Sequence, residues 1–367
     1  MTEAHADLQQ IVAAVAIESP TRYTLEGAAR DVPPPADDAA VADIPLVRRL
    51  QNEMYSVLYC RWLGGARQSD ELADRQLVHA LSAANGGHGT WEPGWVIAGV
   101  EEDGRLPVRK DGLTLWVSPD QLRNRSQSRR VGTPCRVRVG KELRELSQGF
   151  YFAIGDGDER YERDADERLV RLYWHLGRAG AVDFIAVLTQ TLNPLRIPFR
   201  AKVVNFEAGF PRCDAGVLYF DKRYFARLAA VLPSIHARLQ PQLREQVPRF
   251  TKLLAPGLGL AEDPETDESF GQQRCRIVTE ALWRAFTSGA DRLATVCAAF
   301  EDLGLVPSRP YLQPGSPDDY GTLEAIAATA DPAAPLPSRP AQRSRSHDEL
   351  RARRKQERKW RKANRRK

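Results

Sequence analysis

The chain has 367 residues, 42% hydrophobic and 28% charged, and carries a formal net charge of +5. That length suits one large core or two domains, and the composition is that of an ordinary globular protein, neither collagen-like nor disordered throughout. No apolar run approaches the roughly 18 residues needed to cross a bilayer, and Met1 to Gln10 lacks the basic start of a secretory signal, so a cytoplasmic location is expected.

Leu8 to Ile17 has helical apolar spacing, stopped by Ser19-Pro20. Pro33-Pro34-Pro35 predicts a loop or extended link. Leu46 to Leu63 predicts a second helix, ended by Gly64-Gly65, and Gln68 to Ala84 a third. The period then changes: Trp91 to Val100, Leu113 to Val117 and Cys135 to Val139 predict short antiparallel strands, with turns at Glu102-Asp103-Gly104 and Asp111-Gly112. Residues 1–147 therefore form a helical, then β-rich, region.

Phe150 to Ile154 predicts a strand, as does Leu169 to Leu176, where Leu169, Arg171, Tyr173 and His175 alternate with Val170, Leu172, Trp174 and Leu176. Gly180 to Leu195 is an amphipathic helix, and Phe199 to Val204 and Ala215 to Phe220 are strands. Tyr224 to Val231, Ile235 to Leu239, Arg274 to Ala290 and Leu293 to Leu303 are helical. This order predicts an α+β domain over 148–313, with a largely antiparallel sheet flanked by helices. From Pro314 the Pro-, Ala- and Ser-rich composition predicts a linker to residue 350. Beyond it, Arg351 to Lys367 holds eleven Lys or Arg against Glu357, a net of +10, so the other 350 residues carry −5. The basic pI thus belongs to a tail, expected to be disordered.

The five cysteines are odd in number and lack a C-x-x-C pair, which argues against a disulfide framework or a cysteine zinc site. The six histidines show no ligand spacing, and there is no nucleophile elbow, Walker loop or dinucleotide fingerprint. No cofactor or metal is expected.

Five ordered blocks carry a resemblance: Val170-Arg171-Leu172-Tyr173-Trp174; Ile197 to Val203; Pro211 to Tyr219; Phe250 to Pro264; and Ser269 to Arg276. In this order and spacing they resemble the HopA-type effector family of bacterial proteins, over roughly residues 150 to 310. Asn85 to Trp95 resembles the start of the longer stand-alone members found in peptide-maturation gene clusters. The resemblance implies a phospho-Ser/Thr lyase. An aminoglycoside-phosphotransferase-like kinase would phosphorylate a precursor peptide, and this chain would eliminate phosphate to leave dehydroamino acids, as in class V lanthipeptide maturation. The alternative is a non-catalytic effector or scaffold that binds a peptide, kinase or host protein.

Elimination needs a base for the α-proton, cations for the phosphate and a stabiliser for the developing enolate. A lysine serves as base when burial or nearby cations lower its pKa, and arginine clamps phosphate with two parallel hydrogen bonds. Within the blocks, Lys202, Lys252 and Asp214 are the catalytic candidates, and Arg200, Arg212 and Arg274 the phosphate ligands. Arg200 and Lys202, two apart on a strand, share one face. The bland readings are a solvated strand-face lysine, a structural Arg212–Asp214 pair, and a plain turn at Gly257-Leu258-Gly259. Arg274 and Arg276 diverge on a helix, and Arg274 is the one expected to face the site. His175 and His236 are left as structural. The tail is read either as a solvated segment with no specific role or as a docking arm for an acidic partner such as a leader peptide or kinase. A role in binding nucleic acid is disfavoured, since Trp360 is its only aromatic residue.

Overall fold

A computed structural model describes residues 3–61, 73–110, 113–124, 128–144, 147–157, 168–264, 266 and 268–329. Helix α1 (Glu3–Ala13) leads into a three-stranded sheet of β1 (Val15–Ser19), β2 (Arg22–Leu25) and β3 (Ala28–Asp31). The helix expected to reach Ile17 stops at Ala13: the β-branched Val15 and Ile17 pair instead with Leu25 and Tyr23. Helix α2 (Pro45–Glu53) starts with its proline in the first turn, where a missing N–H costs nothing, and widens into a π-helical turn at Met54–Tyr59. Helix α3 (Arg75–Ala84) is capped by Asp74, which accepts from the Gln76 and Leu77 amides.

Strands β4 (Thr90–Ile97), β5 (Leu106–Lys110), β6 (Leu113–Val117), β7 (Leu122–Arg123) and β8 (Pro134–Val139) make a five-stranded sheet in the order β6-β5-β4-β8-β7. It encloses a core of its own, Trp95, Ile97, Leu106, Val108, Val117, Cys135 and Val137.

The remaining strands are β9 (Glu142–Leu143), β10 (Phe150–Ile154), β11 (Leu169–Trp174), β12 (Arg200–Val204), β13 (Gly216–Asp221), β14 (Lys252–Ala255) and β15 (Leu258–Glu262). They build a seven-stranded sheet in the order β14-β15-β11-β13-β12-β10-β9. The helices around it are α4 (Gly180–Leu192), α5 (Phe225–Ala229), α6 (Leu232–Leu239), α7 (Phe270–Ser288), α8 (Arg292–Glu301) and α9 (Leu323–Thr329). Among the described residues every strand pairing is antiparallel, and the fold is α+β.

The register gives the sheet two unlike faces. Leu172 lies opposite both Leu218 and Leu260, and Ala201 opposite Leu218, so these side chains line one apolar face. Helix α4 covers it: the Phe184 ring sits 6.1 Å from Trp174, and a Cβ on Gly216 would press against Phe184 and Leu176. The other face carries Arg171, Tyr173, Tyr219, Arg200 and Lys202. Its Tyr173 end is roofed by Tyr59 of the π turn and Phe270 of α7, with ring centroids 6.4 Å and 6.4 Å from Tyr173. One continuous apolar core joins this sheet to α1, β1, β2 and α2.

The stretch 314–329 differs from its linker-like composition. Arg274 donates to the Pro310 and Leu312 carbonyls at 2.8 and 3.1 Å. The buried Glu262 carboxylate accepts from the Gln313 amide, Ser316 and Tyr320 at 2.8, 2.5 and 2.9 Å, so the segment is strapped to the sheet before it enters α9. Residues 330–350, expected as linker, and the tail 351–367 lie outside the described residues. No helix among the described residues is long and apolar enough to cross a membrane.

Candidate active site

The sharpest chemistry on the molecule lies on the half-open face of the seven-stranded sheet. Three neighbouring strands contribute one row of side chains in register. Arg171 of β11 stands opposite Tyr219 of β13, and Tyr219 stands opposite Arg200 of β12. Lys202 follows two residues along β12, on the same face, opposite Phe152 and Val217. The Arg171 guanidinium lies 5.1 Å from the Tyr219 ring centroid and the Lys202 ammonium 5.8 Å from the same ring. Two cations thus lie against one ring, with Arg200 opposite it in the register.

Beside Lys202 sits a buried ion pair. The segment after β12 returns through a 3-10 turn at Glu207–Gly209 and delivers Arg212 and Asp214 just before β13. Arg212 meets Asp214 with two parallel hydrogen bonds, 2.5 and 2.8 Å, and its Nη2 also reaches the Cys60 sulfur at 3.4 Å. Both residues are buried. Burial pushes the Asp214 carboxyl up, but the Arg212 guanidinium, with a smaller contribution from Lys202, outweighs it and holds the group below the usual carboxylate range. Phe150 connects the two, its ring 4.5 Å from the Lys202 Nζ and 5.4 Å from the Arg212 guanidinium carbon.

Arg171 is held by an ion pair with Asp263. Burial works against its charge, and the surrounding Tyr173, Tyr219 and Asp263 more than restore it, so the guanidinium stays protonated. His175, just past β11, points a ring nitrogen to the Gln246 carbonyl at 2.9 Å, and burial lowers its pKa. Burial pushes the neighbouring Cys213 thiol up to about 12, which makes it a poor nucleophile.

Of the residues singled out in the sequence, the fold brings together Lys202, Asp214, Arg200 and Arg212. Lys252 is elsewhere: it lies opposite Leu260, in register with the apolar face, and its ammonium is 2.8 and 3.0 Å from the Asp318 carboxylate. Arg274 lies behind Phe270 at the Tyr173 end of the same face, near enough to feel Tyr173 and Asp263, but it is fully buried, its donors are taken by the Pro310 and Leu312 carbonyls and the Gln273 side chain, and burial lowers its pKa to about 10. Arg171 and Tyr219 went unselected in the sequence, although both lie inside the conspicuous blocks. The alternation of polar Arg171 with buried Val170 and Leu172 was the available signal for the first.

Residues 142–312 match the model of the HopA1 effector protein family. Among solved structures, the chain is similar to the effector protein from Pseudomonas syringae pv. tomato strain DC3000, with 16% identity and a TM-score of 0.44 over 85% of this chain and 96% of that one. It is also similar to the effector protein from Pseudomonas syringae pv. syringae strain 61, with 12% identity and a TM-score of 0.42 over 72% of this chain and 88% of that one. None of the curated proteins matches.

Proposed function

With residues 142–312 belonging to the HopA1 effector protein family, we propose that the chain is a phospho-Ser/Thr lyase acting on a kinase-phosphorylated precursor peptide. The observation that supports this reading most is the row Arg171–Tyr219–Arg200 with Lys202 beside it: cations on the two strands that flank β13 and its Tyr219, on a partly open face. A phosphate monoester carries two negative charges that such a cluster neutralises, and arginine offers its oxygens paired donors.

The chemistry is a β-elimination. The Lys202 amine takes the α-proton, the freed electron pair forms the Cα–Cβ double bond, and the Cβ–O bond breaks with its electrons leaving on phosphate. Arg200 and Arg171 receive the charge that builds on the departing oxygens, a stabilisation that grows as the bond breaks and so accelerates the step. The buried Arg212–Asp214 pair closes the site beside Lys202 and, through Phe150, sets the position of the Lys202 side chain. Tyr219, between Arg171 and Arg200, would offer its hydroxyl to the phosphate. Lys252 and Arg274 play no part in this scheme. The peptide would come from an aminoglycoside-phosphotransferase-like kinase, and its dehydroamino acids would feed ribosomal-peptide maturation of the lanthipeptide kind.

The test is incubation of a phosphoserine peptide with the chain and with its Lys202→Ala variant, followed by mass spectrometry. Loss of phosphoric acid by the parent chain and not by the variant is expected. Retention of phosphate by both, with the peptide bound, would leave a non-catalytic peptide-binding module instead.

A further inference from the structure

The five-stranded sheet carries an electrostatic conflict that its own residues do not resolve. Between Gln121 and Lys141 the sequence has seven Lys or Arg and no Asp or Glu. Arg123 of β7 stands directly opposite Arg136 of β8, and Arg138 follows two residues along on the same face, opposite Trp91 of β4. Like charges directly across a strand pair destabilise it. Arg123, Arg129, Arg130 and Arg136 are exposed, and among the described residues none of these four or Arg138 pairs with a carboxylate. Arg138 spends one donor on the His88 carbonyl, and Arg123 and Arg138 lie over the Trp91 ring at 4.0 and 5.6 Å. A sheet that places arginines opposite one another and fixes two of them on a tryptophan, with no carboxylate paired to them among the described residues, is completed by an anion from outside.

We propose that the β4–β8–β7 face binds an extended acidic peptide segment, which, on the lyase reading above, is a part of the substrate remote from its phosphorylated residue. Two features favour peptide over nucleic acid. Trp91 is only 9% exposed and roofed by Arg123, and the exposed Trp116 lies on β6 at the far edge of the sheet, tied to Glu101, so no ring beside these arginines is free for a base to stack on. Strand β7 ends the sheet order among the described residues, so its outer edge offers backbone groups to an added strand. Alternate acidic side chains of such a strand meet Arg123 and Arg136, replacing repulsion with charge-assisted hydrogen bonds. Docking there raises the local concentration of the reactive residue without touching the chemistry.

The experiment measures fluorescence anisotropy of a labelled, unphosphorylated peptide of alternating Glu and Val with the full chain. The variants are Arg129→Glu/Arg136→Glu and a control of equal charge change at two exposed arginines elsewhere, Arg48→Glu/Arg284→Glu. The first double is expected to weaken binding by roughly tenfold or more, with a shallower salt dependence, and the control by less than about twofold. The neutral Arg129→Gln/Arg136→Gln pair, expected to show the same direction, covers a reversal that unfolds the sheet. No binding, equal loss in both reversal doubles, or tighter binding of a poly-dT oligonucleotide through the same arginines overturns the proposal. Because no bond is broken in this assay, a chain that binds but does not eliminate phosphate counts against the lyase alone. A chain that eliminates equally well from peptides with and without an acidic flank counts against the docking face alone.

Discussion

At the scale of single residues, the Arg212–Asp214 pair is the tightest electrostatic feature of the site and the easiest to interrogate. Removing one member leaves a buried charge without its partner, which costs about 3–5 kcal/mol. Asp214→Ala should therefore lower the denaturant midpoint markedly, and Arg212→Leu/Asp214→Leu should recover much of the loss, measured by chemical unfolding. If the double variant were as unstable as the single, the pair would owe its effect to packing rather than to charge. The same pair sets a pH dependence. The folded-state pKa of Asp214 lies below its unfolded value, so the stabilisation is complete above about 3.9, the ordinary aspartate value, and is lost as pH falls through the depressed one. Thermal unfolding below pH 4 should be less steep in Asp214→Asn than in the parent chain; an identical acid limb would place the titrating group elsewhere. Arg274 gives a contrasting prediction. Its guanidinium ties down the 310–312 carbonyls, so Arg274→Lys should lower stability by about 1–3 kcal/mol, one charged hydrogen bond's worth, and leave elimination by the folded fraction intact. Loss of elimination at unchanged stability would return Arg274 to the phosphate.

At the scale of elements, helix α7 reaches the sheet only because Gly271 has no side chain. A Cβ there would overlap the Tyr59 ring, whose edge-on and tilted packing against Tyr173 and Phe270 closes one end of the candidate site. Gly271→Ala should cost about 1–3 kcal/mol as an overpacked contact, and differential scanning calorimetry would show it; an unchanged Tm would mean that the helix shifts freely. The elements themselves were unevenly legible. Phe150–Ile154 is evident as a short apolar run bounded by turn residues, and Leu169–Trp174 from the polar Arg171 set between buried Val170 and Leu172. The β14–β15 hairpin was read only as a turn: its strands have four and five residues, β15 is buried throughout and shows no alternation, and Pro256-Gly257 dominates the local signal. The strap from Pro310 to α9 was also obscured. Its composition is that of a linker, and its anchors, Arg274 and Glu262, are distant in sequence.

At the scale of the whole molecule, the candidate site depends on register, which one sequence does not display. Lys202 and Lys252 look alike as strand lysines beside apolar neighbours, but the sheet turns one toward Arg200 and Asp214 and the other toward Asp318 on the opposite face. Arg171 became a partner of Lys202 only when β11 and β12 were both laid against β13. The apolar core shared by α1, α2 and the seven-stranded sheet makes the N-terminal helices part of the site's roof through Tyr59. The most direct measurement is a mass-spectrometric time course of a phosphoserine peptide with the parent chain, Lys202→Ala and Lys252→Ala. Elimination of phosphoric acid by the parent and by Lys252→Ala, with its loss in Lys202→Ala, is the predicted result. Full elimination by Lys202→Ala, or none by the parent chain on a peptide it binds, would contradict it.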